Sequence, residues 1–265
     1  MGRSHLHAAA RRASRRLFLD RDRALLRAQA AVRRWVRLDV RRWSPAGITL
    51  ARRLRILEDN GVTVVLDVGA NRGQFASELR IGGYGGRIVS FEPLATACAA
   101  MEWAAADDPL WECLRLALSD TDGETELHVS ENAVSSSLLD MEARHLEAAP
   151  ASRYVATERV RQARLATLAE ELRLPGDGVY LKLDVQGSEA KALEGARPTL
   201  PRVVAIETEL SLVPLYRDQL LFREMLDFLD EAGYDPVSLE PAYADGRNGH
   251  VLQVDGIFLR RAHAQ

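Results

Sequence analysis

The fold is decided by one stretch of the chain, VVLDVGANRG, which occupies residues 64–73. Its first five residues form a short, valine-rich and almost continuous apolar run, which is typical of a strand buried on both faces of a parallel sheet. Gly69 and Gly73 then let the backbone turn tightly and let a ligand approach it closely. A helix is predicted over about residues 72–80, and its first free N–H groups would face that ligand. The stretch therefore predicts a strand, a binding loop and a helix in succession.

Strands and helices keep alternating downstream of this stretch. Alternation of this kind predicts an α/β fold with a doubly wound sheet. The further predicted strands are 87–91, 114–118, 179–184, 203–207, 234–239 and 256–260, with 125–129 as an added hairpin element. The further predicted helices are 94–106, 165–172, 188–195 and 222–232.

The loop after the first strand excludes two common nucleotide sites. A dinucleotide fingerprint needs glycine at positions where this chain has Asn71 and Gln74, and no Walker loop is present. The pattern D-x-G-x-x-x-G is instead similar to the first motif of class I methyltransferases, which use S-adenosylmethionine (SAM). SAM carries a carboxylate and a ribose but no phosphate. The residues expected to bind it here are Asp67, Gly69, Ala70, Asn71 and Gly73.

The end of the second predicted strand supplies an acid for the ribose. Glu92 follows Gly73 by 19 residues, and a carboxylate at this position can accept both ribose hydroxyls. Pro93 and Leu118 offer apolar surface to the adenine. Ser119, at the end of the third predicted strand, lies where the adenine edge would be. An exposed acid at a strand end is the alternative for Glu92, and the joint spacing disfavours it.

The sequence LKLDVQGSE at residues 181–189 is the most specific part of a wider resemblance. With the segments 65–76, 90–93, 203–216 and 253–261, the chain resembles the FkbM family of SAM-dependent methyltransferases over about residues 64–260. The resemblance implies a Rossmann-like, seven-stranded mixed sheet with a reversed final strand, the class I methyltransferase fold. It also implies methyl transfer, commonly to hydroxyl oxygens of sugars or polyketide-type metabolites. Members usually have glutamate where this chain has Gln186, so no carboxylate acts at that position.

Methylation of an alcohol needs a base or a metal, because a hydroxyl is a poor nucleophile. Asp184 ends the fourth predicted strand, where it can serve as general base, bind the SAM amine or ligate Mg²⁺. Glu207 ends the fifth strand, with Glu209 two residues further on, and Asp184 with Glu207 is the candidate metal pair. Lys182 shares the sheet face of Asp184. The alternatives are salt-bridged structural carboxylates and a lysine paired in the core.

Two further segments match the family pattern less specifically. The serine-rich stretch that includes Ser135, Ser136 and Ser137 follows the third strand and could contact the methyl acceptor. A polar surface loop is the alternative for these serines. Asp255 precedes the last strand and matches the family pattern, either in the site or as a structural residue.

Charge is distributed unevenly along the 265 residues. Residues 1–60 carry a net charge of +11, whereas the rest carry −14. We predict an Arg-rich, helical N-terminal arm over residues 1–45 and a methyltransferase domain over residues 46–265. The arm is expected to be a solvated amphipathic helix, with contact to a membrane surface, a nucleic acid or a second copy as alternatives. The chain has only two cysteines and no apolar run near the ~18 residues of a membrane span, which predicts a cytoplasmic protein. Its enrichment in Arg and Ala indicates a bacterial origin.

The sequence thus predicts a SAM-dependent O-methyltransferase acting on a hydroxyl of a small molecule such as a sugar, a glycolipid or a polyketide-type metabolite. Two alternatives stay open: a SAM-binding interaction module without catalysis, and an RNA methyltransferase recruited by the basic arm. The base-methylating motif Asn/Asp-Pro-Pro-Tyr/Phe is absent after Asp184. The acidic balance of residues 61–265 also argues against a nucleic-acid partner.

Overall fold

The computed structural model describes residues 44–261. From Arg53 onward, the described residues form one compact unit. The predicted arm, residues 1–45, lies almost entirely outside the described residues. Within the described residues, no helix is long and apolar enough to cross a membrane.

Ten strands and seven α-helices follow one another along residues 44–261. The helices are α1 Thr49–Asp59, α2 Gln74–Ile81, α3 Ala95–Ala105, α4 Ala143–Ala148, α5 Leu165–Leu168, α6 Glu189–Ala196 and α7 Phe222–Glu231. The strands are β1 Val64–Val68, β2 Arg87–Phe91, β3 Trp111–Leu114, β4 Ala117–Leu118, β5 Gly123–Ser130, β6 Tyr154–Ala163, β7 Val179–Leu183, β8 Val203–Ser211, β9 Tyr234–Ala244 and β10 Val251–Arg260.

Seven of the strands form one mixed sheet in the order β3-β2-β1-β7-β8-β10-β9. Strands β3, β2, β1, β7 and β8 are parallel, whereas β10 runs antiparallel to both β8 and β9. This confirms the predicted seven-stranded mixed α/β sheet with its reversed final strand. The strand order changes direction between β1 and β7, and ligands of open α/β sheets bind at the carboxyl ends of the strands beside such a point.

The two central strands owe their position to their apolar side chains. Every residue of β1 and of β7 is buried, and burial of each large apolar side chain contributes roughly 1.5–3 kcal/mol. Asp67 lies within this buried run and faces Lys182, its register partner on β7. The apolar side chains thus hold both strands in the core, and the charged side chains of Asp67 and Lys182 lie on one face of the sheet.

The predicted third strand, residues 114–118, is wrong as a single element. Strand β3 ends at Leu114, and the backbone N–H of Leu116 turns back to the carbonyl of Leu114. Residues Ala117–Leu118 then pair with β6 in a separate three-stranded sheet of order β4-β6-β5. The predicted element 125–129 lies within β5 of this second sheet.

Two other features depart from the prediction. Strand β6 was not expected, because only Val160 and Ala163 of its ten residues are buried and its charged sequence lacks an apolar run. The helix predicted over 165–172 is α-helical only as far as Leu168 and continues as turns. Long-range pairing with β5 forms the strand that local sequence does not indicate.

Candidate active site

A cavity of about 310 Å³ opens at the carboxyl ends of the central strands. The loop after β1 and the end of β2 form one side, and residues of β7, β8 and β10 form the other. The predicted site residues that line it are Gly69, Ala70, Asn71, Glu92, Pro93, Leu118, Ser136, Ser137, Lys182, Asp184 and Glu207. One space therefore brings together most residues that the sequence singled out.

The glycine loop is fixed by backbone contacts that leave no room for a side chain. Gly69 has a positive φ of 77°, and a β-carbon there would lie 1.8 Å from the carbonyl oxygen of Asp184. The N–H groups of Gly69 and Ala70 donate to the carbonyl of Phe91 at 3.0 Å, and the Asp184 N–H donates to the Val68 carbonyl at 3.0 Å. The loop is thereby held between the ends of β2 and β7.

Gly73 has a different place from the rest of the loop. It precedes α2 with a positive φ of 81°, and a β-carbon there would lie 2.7 Å from the Trp111 ring. Gly73 does not line the cavity. It allows α2 to begin at Gln74 close against β3.

Glu92 presents its carboxylate at the cavity wall while the backbone holds it. Its two oxygens accept the N–H groups of Asn71 and Leu94, each at 2.8 Å. Asn71 reaches this position with a left-handed φ of 50°. Burial raises the pKa of Glu92, and the two N–H groups counter that effect. Each oxygen keeps a further lone pair, so the group can accept the two hydroxyls of a vicinal diol.

Lys182 lies at the centre of a charged row across three strands. Its register partners are Asp67 on β1 and Glu207 on β8. The ammonium lies 3.3 Å from Asp67 Oδ1 and 3.3 Å from Asp184 Oδ2. Burial acts to lower the pKa of Lys182, but the charges of Asp184 and Asp67 outweigh it and raise that pKa. Lys182 is therefore a cation near neutral pH and not a base.

Asp67 lies beneath the cavity rather than along its wall. Its side chain is fully buried, and Ser90 Oγ donates to its Oδ2 at 3.3 Å. Burial raises the pKa of Asp67, whereas the neighbouring Lys182 lowers it. Asp67 is placed to orient Lys182 and has no surface on the cavity.

Both oxygens of Glu207 are taken up by neighbours that sequence reasoning missed. Arg53 Nε donates to Oε2 at 2.7 Å, Arg53 Nη2 contacts Oε1, and the Tyr180 hydroxyl also donates to Oε2. The Arg53 guanidinium lies 4.6 Å from the centre of the Phe75 ring. No spacing marks Arg53 among the arginines of residues 1–60. Tyr180 did carry a signal, because a tyrosine in a buried strand needs a partner for its hydroxyl.

Gln186 links Asp184 to Glu209 through its side-chain amide. Its Nε2 donates to Asp184 Oδ1 at 2.9 Å and to Glu209 Oε2 at 3.3 Å, and its Oε1 accepts the Tyr216 hydroxyl at 2.8 Å. Gln186 itself has a left-handed φ of 54°. An amide therefore occupies the position at which the family usually has a carboxylate, and it supplies hydrogen-bond donors to two acids.

Four carboxylates line the cavity beside β7, β8 and β10, and we call Asp184, Glu207, Glu209 and Asp255 the carboxylate cluster. Glu209 and Asp255 are its members on the β8–β10 pair that lie furthest from the glycine loop in strand order. They are register partners across β8 and β10, and both line the cavity. Burial raises the pKa of Glu209 well above its ordinary range, with the charge of Asp184 as the next cause. Burial, together with the charges of Glu207 and Asp184, raises the pKa of Asp255 to about 6.

The predicted serines are divided by the structure. Ser136 and Ser137 line the cavity, and the Ser137 hydroxyl donates to the Gln186 carbonyl at 2.7 Å. Ser135 does not line it, because its hydroxyl turns toward Ser152 Oγ at 2.9 Å. Ser119 is also buried outside the cavity, with its hydroxyl on Asp120 Oδ1 at 3.2 Å.

The residues present do not fit the expected Mg²⁺ site. Within residues 44–261, no group of three or more His, Cys, Asp or Glu side chains is arranged to hold a metal ion. Asp184 already faces the Lys182 ammonium, and Glu207 already binds the Arg53 guanidinium. Cationic side chains thus occupy the places that a divalent ion would need beside these two acids.

The same cavity does fit SAM. The strand order with a reversed final strand, the glycine loop after β1 and the acid after β2 together define a SAM-dependent methyltransferase of the class I fold. The loop backbone, the Glu92 carboxylate and the apolar surface of Pro93 and Leu118 line this cavity and could hold the amino acid, ribose and adenine parts of that molecule.

The chain belongs to the FkbM methyltransferase family, because the family model described as "Methyltransferase FkbM domain" matches residues 67–236. A curated relative is the 2-O-methyltransferase NoeI of Sinorhizobium fredii. It is 27% identical over 172 residues, which cover 63% of this chain and 70% of that protein. The chain is therefore a methyltransferase.

Two solved structures were found to match the chain at low similarity. The precorrin-6Y C5,15-methyltransferase of Geobacter metallireducens has a TM-score of 0.43 at 12% identity, over 79% of this chain and 86% of that one. The rRNA methylase of Streptococcus thermophilus has a TM-score of 0.43 at 11% identity, over 83% and 98%.

Proposed function

We propose that this methyltransferase transfers the methyl group of SAM to a hydroxyl oxygen of a small molecule, such as a sugar, a glycolipid or a polyketide-type metabolite. One observation carries the proposal: a single cavity joins the glycine loop and Glu92 to the charged side chains of Lys182, Asp184 and Glu207. The donor half and the acceptor half of an alkyl transfer would then share one space. The 2-O-methyltransferase NoeI supports an oxygen acceptor.

The donor half of the cavity would hold SAM through the loop and the acid. The backbone of Gly69, Ala70 and Asn71 would face its amino acid part, and Glu92 would accept its ribose hydroxyls. Pro93 and Leu118 would cover the adenine. When bound, SAM supplies a methyl group made electrophilic by its sulfonium. Asp67, Gly73 and Ser119, which lie behind this wall, would support its shape.

The acceptor half would bind and orient the hydroxyl. The Asp184 carboxylate, fixed by Lys182 and Gln186, can accept a hydrogen bond from the acceptor, and Ser136 and Ser137 border the same space. Holding two reactants in an aligned pose can contribute up to about 7–11 kcal/mol. Ser135 would act through the shape of the serine loop, and Glu207 would hold Arg53.

The charge of the cavity narrows the acceptor class. Its acidic side chains outnumber its two basic ones, Arg53 and Lys182. The acids are Glu78, Glu92, Asp184, Glu207, Glu209 and Asp255. An anionic acceptor such as a phosphodiester would be repelled by this lining. A neutral polyhydroxyl compound is favoured, and RNA is not.

We further propose the division at residue 45, with an arm that contacts a second copy or a membrane surface through its arginines. A cytoplasmic location is part of the same proposal. The free thiols of Cys98 and Cys113 support it, because reduced cysteines are usual there.

The test is methyl transfer from radiolabelled SAM to a panel of acceptors that contains methyl glycosides, a glycolipid, polyketide alcohols and a structured RNA. We expect label in a hydroxyl compound, at the oxygen, and none in RNA. Matched reactions with Asp184→Ala and with the exposed-site control Glu126→Ala identify the enzyme as the source. Label in RNA alone would contradict the proposal.

A further inference from the structure

The carboxylates at the acceptor end of the cavity are not equivalent in their bonding. Glu207 is bound on both oxygens by Arg53 and Tyr180. Asp184 is likewise bound on both oxygens, by Lys182 at 3.3 Å and Gln186 at 2.9 Å. A proton placed on either acid would disrupt its contact with a cationic side chain, Arg53 for Glu207 and Lys182 for Asp184. Both carboxylates are therefore already engaged with neighbouring donors.

One oxygen of the Glu209 carboxylate is also bound by neighbouring side chains. Its Oε2 accepts the side-chain amides of Gln186 at 3.3 Å and Gln253 at 3.2 Å. Its side chain is more enclosed than that of Asp255, which lies across the β8–β10 pair. Glu209 thus receives donors from two elements and stays at the back of the cluster.

Asp255 differs from these three acids. It lines the cavity, and among residues 44–261 no side chain or backbone group donates a hydrogen bond to it or forms an ion pair with it. Its carboxylate faces the cavity with its lone pairs available. A carboxylate of this kind can accept a proton without breaking an existing contact.

The charges around Asp255 come from every neighbouring element. Strand β8 contributes Glu207 and Glu209, β7 contributes Lys182, and Asp184 follows the end of β7. On the other side, Glu240 of β9 is its register partner, and Arg53 of α1 lowers the pKa of Asp255, in the opposite sense to the acids. Acids predominate in this set, so the neighbours oppose ionisation of Asp255 and favour its uptake of a proton.

We propose that Asp255 is the general base that removes the proton from the acceptor hydroxyl. The assignment rests on the proposed function. The acceptor O–H bond breaks and its proton passes to the Asp255 carboxylate while the oxygen forms a bond to the methyl carbon. The carbon–sulfur bond of the sulfonium breaks, and its electron pair stays on sulfur as a neutral thioether. Asp184 and Lys182 position the hydroxyl.

The pKa of Asp255, raised to about 6, suits this task. A general base is most effective when its pKa lies near the working pH. The ionised form is the active one, so turnover should rise as the pH increases through about 6 and be lost below it.

The first test needs no acceptor. In the full chain, the side-chain carboxyls of aspartate are labelled with ¹³C, and Asp255→Asn identifies the signal of Asp255. We expect this carboxyl to titrate near pH 6. A titration near the ordinary aspartate value of about 3.9 would overturn the proposal.

The second test measures kinetics with the acceptor found by the panel. Asp255→Asn should lower kcat by about 10²- to 10⁴-fold and abolish the acidic limb of the pH profile. Binding of S-adenosylhomocysteine, followed by calorimetry, should be unchanged, and Asp255→Glu should restore part of kcat. The matched control is Glu126→Gln, an exposed acid of β5 that does not line the cavity.

Wild-type kcat with an intact acidic limb in Asp255→Asn would overturn the base assignment. Failure of the unaltered chain to bind SAM would instead contradict the proposed function, so the two failures are distinguishable. If Asp255→Asn does not fold, then Asp255→Glu and the carboxyl titration of the unaltered chain still decide the question.

Discussion

A β-carbon on Gly69 would lie 1.8 Å from the carbonyl oxygen of Asp184, so the binding loop and the end of β7 are in direct backbone contact. The contact joins the donor half of the cavity to the acceptor half. It also explains why position 69 needs glycine: the φ of 77° and the lack of space each exclude a side chain.

Gly69→Ala is therefore expected to lower the free energy of unfolding by at least about 2 kcal/mol, from the positive φ and the clash together. Gly85→Ala is the control, because nothing lies within 4 Å of a β-carbon there. That change should have no effect or stabilise by about 0.4–1 kcal/mol. Urea unfolding measures both. Equal stability of Gly69→Ala and Gly85→Ala would contradict the contact.

The pair of Arg53 and Glu207 should show strong coupling. Arg53→Met alone leaves a buried carboxylate without a cation and should cost about 3–5 kcal/mol. The double variant with Glu207→Gln keeps an acceptor for Tyr180 and should recover most of that loss. Arg55→Ala, which breaks exposed pairs with Glu58 and Asp59, should cost less than about 1 kcal/mol. Additive effects of the two buried changes in a double-mutant cycle would count against the network.

Asp255→Asn should stabilise the protein at pH 8 and not at pH 4. The folded-state pKa is raised from 3.8 to about 6. Between pH 3.8 and about 6, the folded chain therefore keeps a proton that the unfolded chain releases. The contribution of Asp255 to the free energy of unfolding is present below pH 3.8 and is lost as the pH rises through about 6. Removing the charge should restore up to about 3 kcal/mol at pH 8. Urea unfolding at both pH values measures the difference, and an equal effect at both would refute it.

Asp122 should show the opposite dependence of stability on pH, because its pKa is lowered in the folded chain and not raised. The backbone N–H of Arg164, with the hydroxyl of Thr167, lowers the pKa of this exposed acid. Asp122→Asn should therefore lose stability at pH 8 and approach the unaltered chain as the pH falls below 3.8. Stabilisation by Asp122→Asn at pH 8 would show that the linkage argument fails for this protein.

Treatment with EDTA should leave methyl transfer unchanged. Lys182 and Arg53 neutralise the acids that a divalent ion would otherwise occupy, so turnover with the panel acceptor should not need added Mg²⁺. The measurement compares rates before treatment, after exhaustive dialysis against EDTA and after Mg²⁺ is restored. A rate lost on chelation and recovered with Mg²⁺ would show that a metal takes part.

How much of this could be predicted from sequence depends on the kind of contact. Strands β1 and β7 were predictable because burial on both faces leaves an unbroken apolar run. Strand β6 was not, because it pairs with β5 while most of its side chains face solvent. Local sequence reports burial, and it does not report long-range hydrogen bonding.

The same contrast between local sequence signals and long-range contacts applies to the residues of the site. Glu92 and Asp184 directly follow β2 and β7, Lys182 lies two residues before Asp184, and the cavity contains all three. Arg53 binds an acid that is 154 positions away in the chain, a pairing that no spacing reveals. Ser119 and Ser135 are neighbours in sequence of residues that line the cavity, but their hydroxyls bond to Asp120 and Ser152 instead. Side-chain packing determines these directions, and the sequence pattern does not show them.

Calorimetric titration of SAM into the full chain, beside the same titration into Glu92→Ala and the control Glu126→Ala, tests the donor half of the cavity most directly. We expect micromolar affinity for the unaltered chain and for Glu126→Ala, and clearly weaker binding for Glu92→Ala because the ribose acceptor is lost. Absence of SAM binding by the unaltered chain would contradict SAM-dependent methyl transfer in this cavity. Undiminished affinity of Glu92→Ala would remove Glu92 from the donor site.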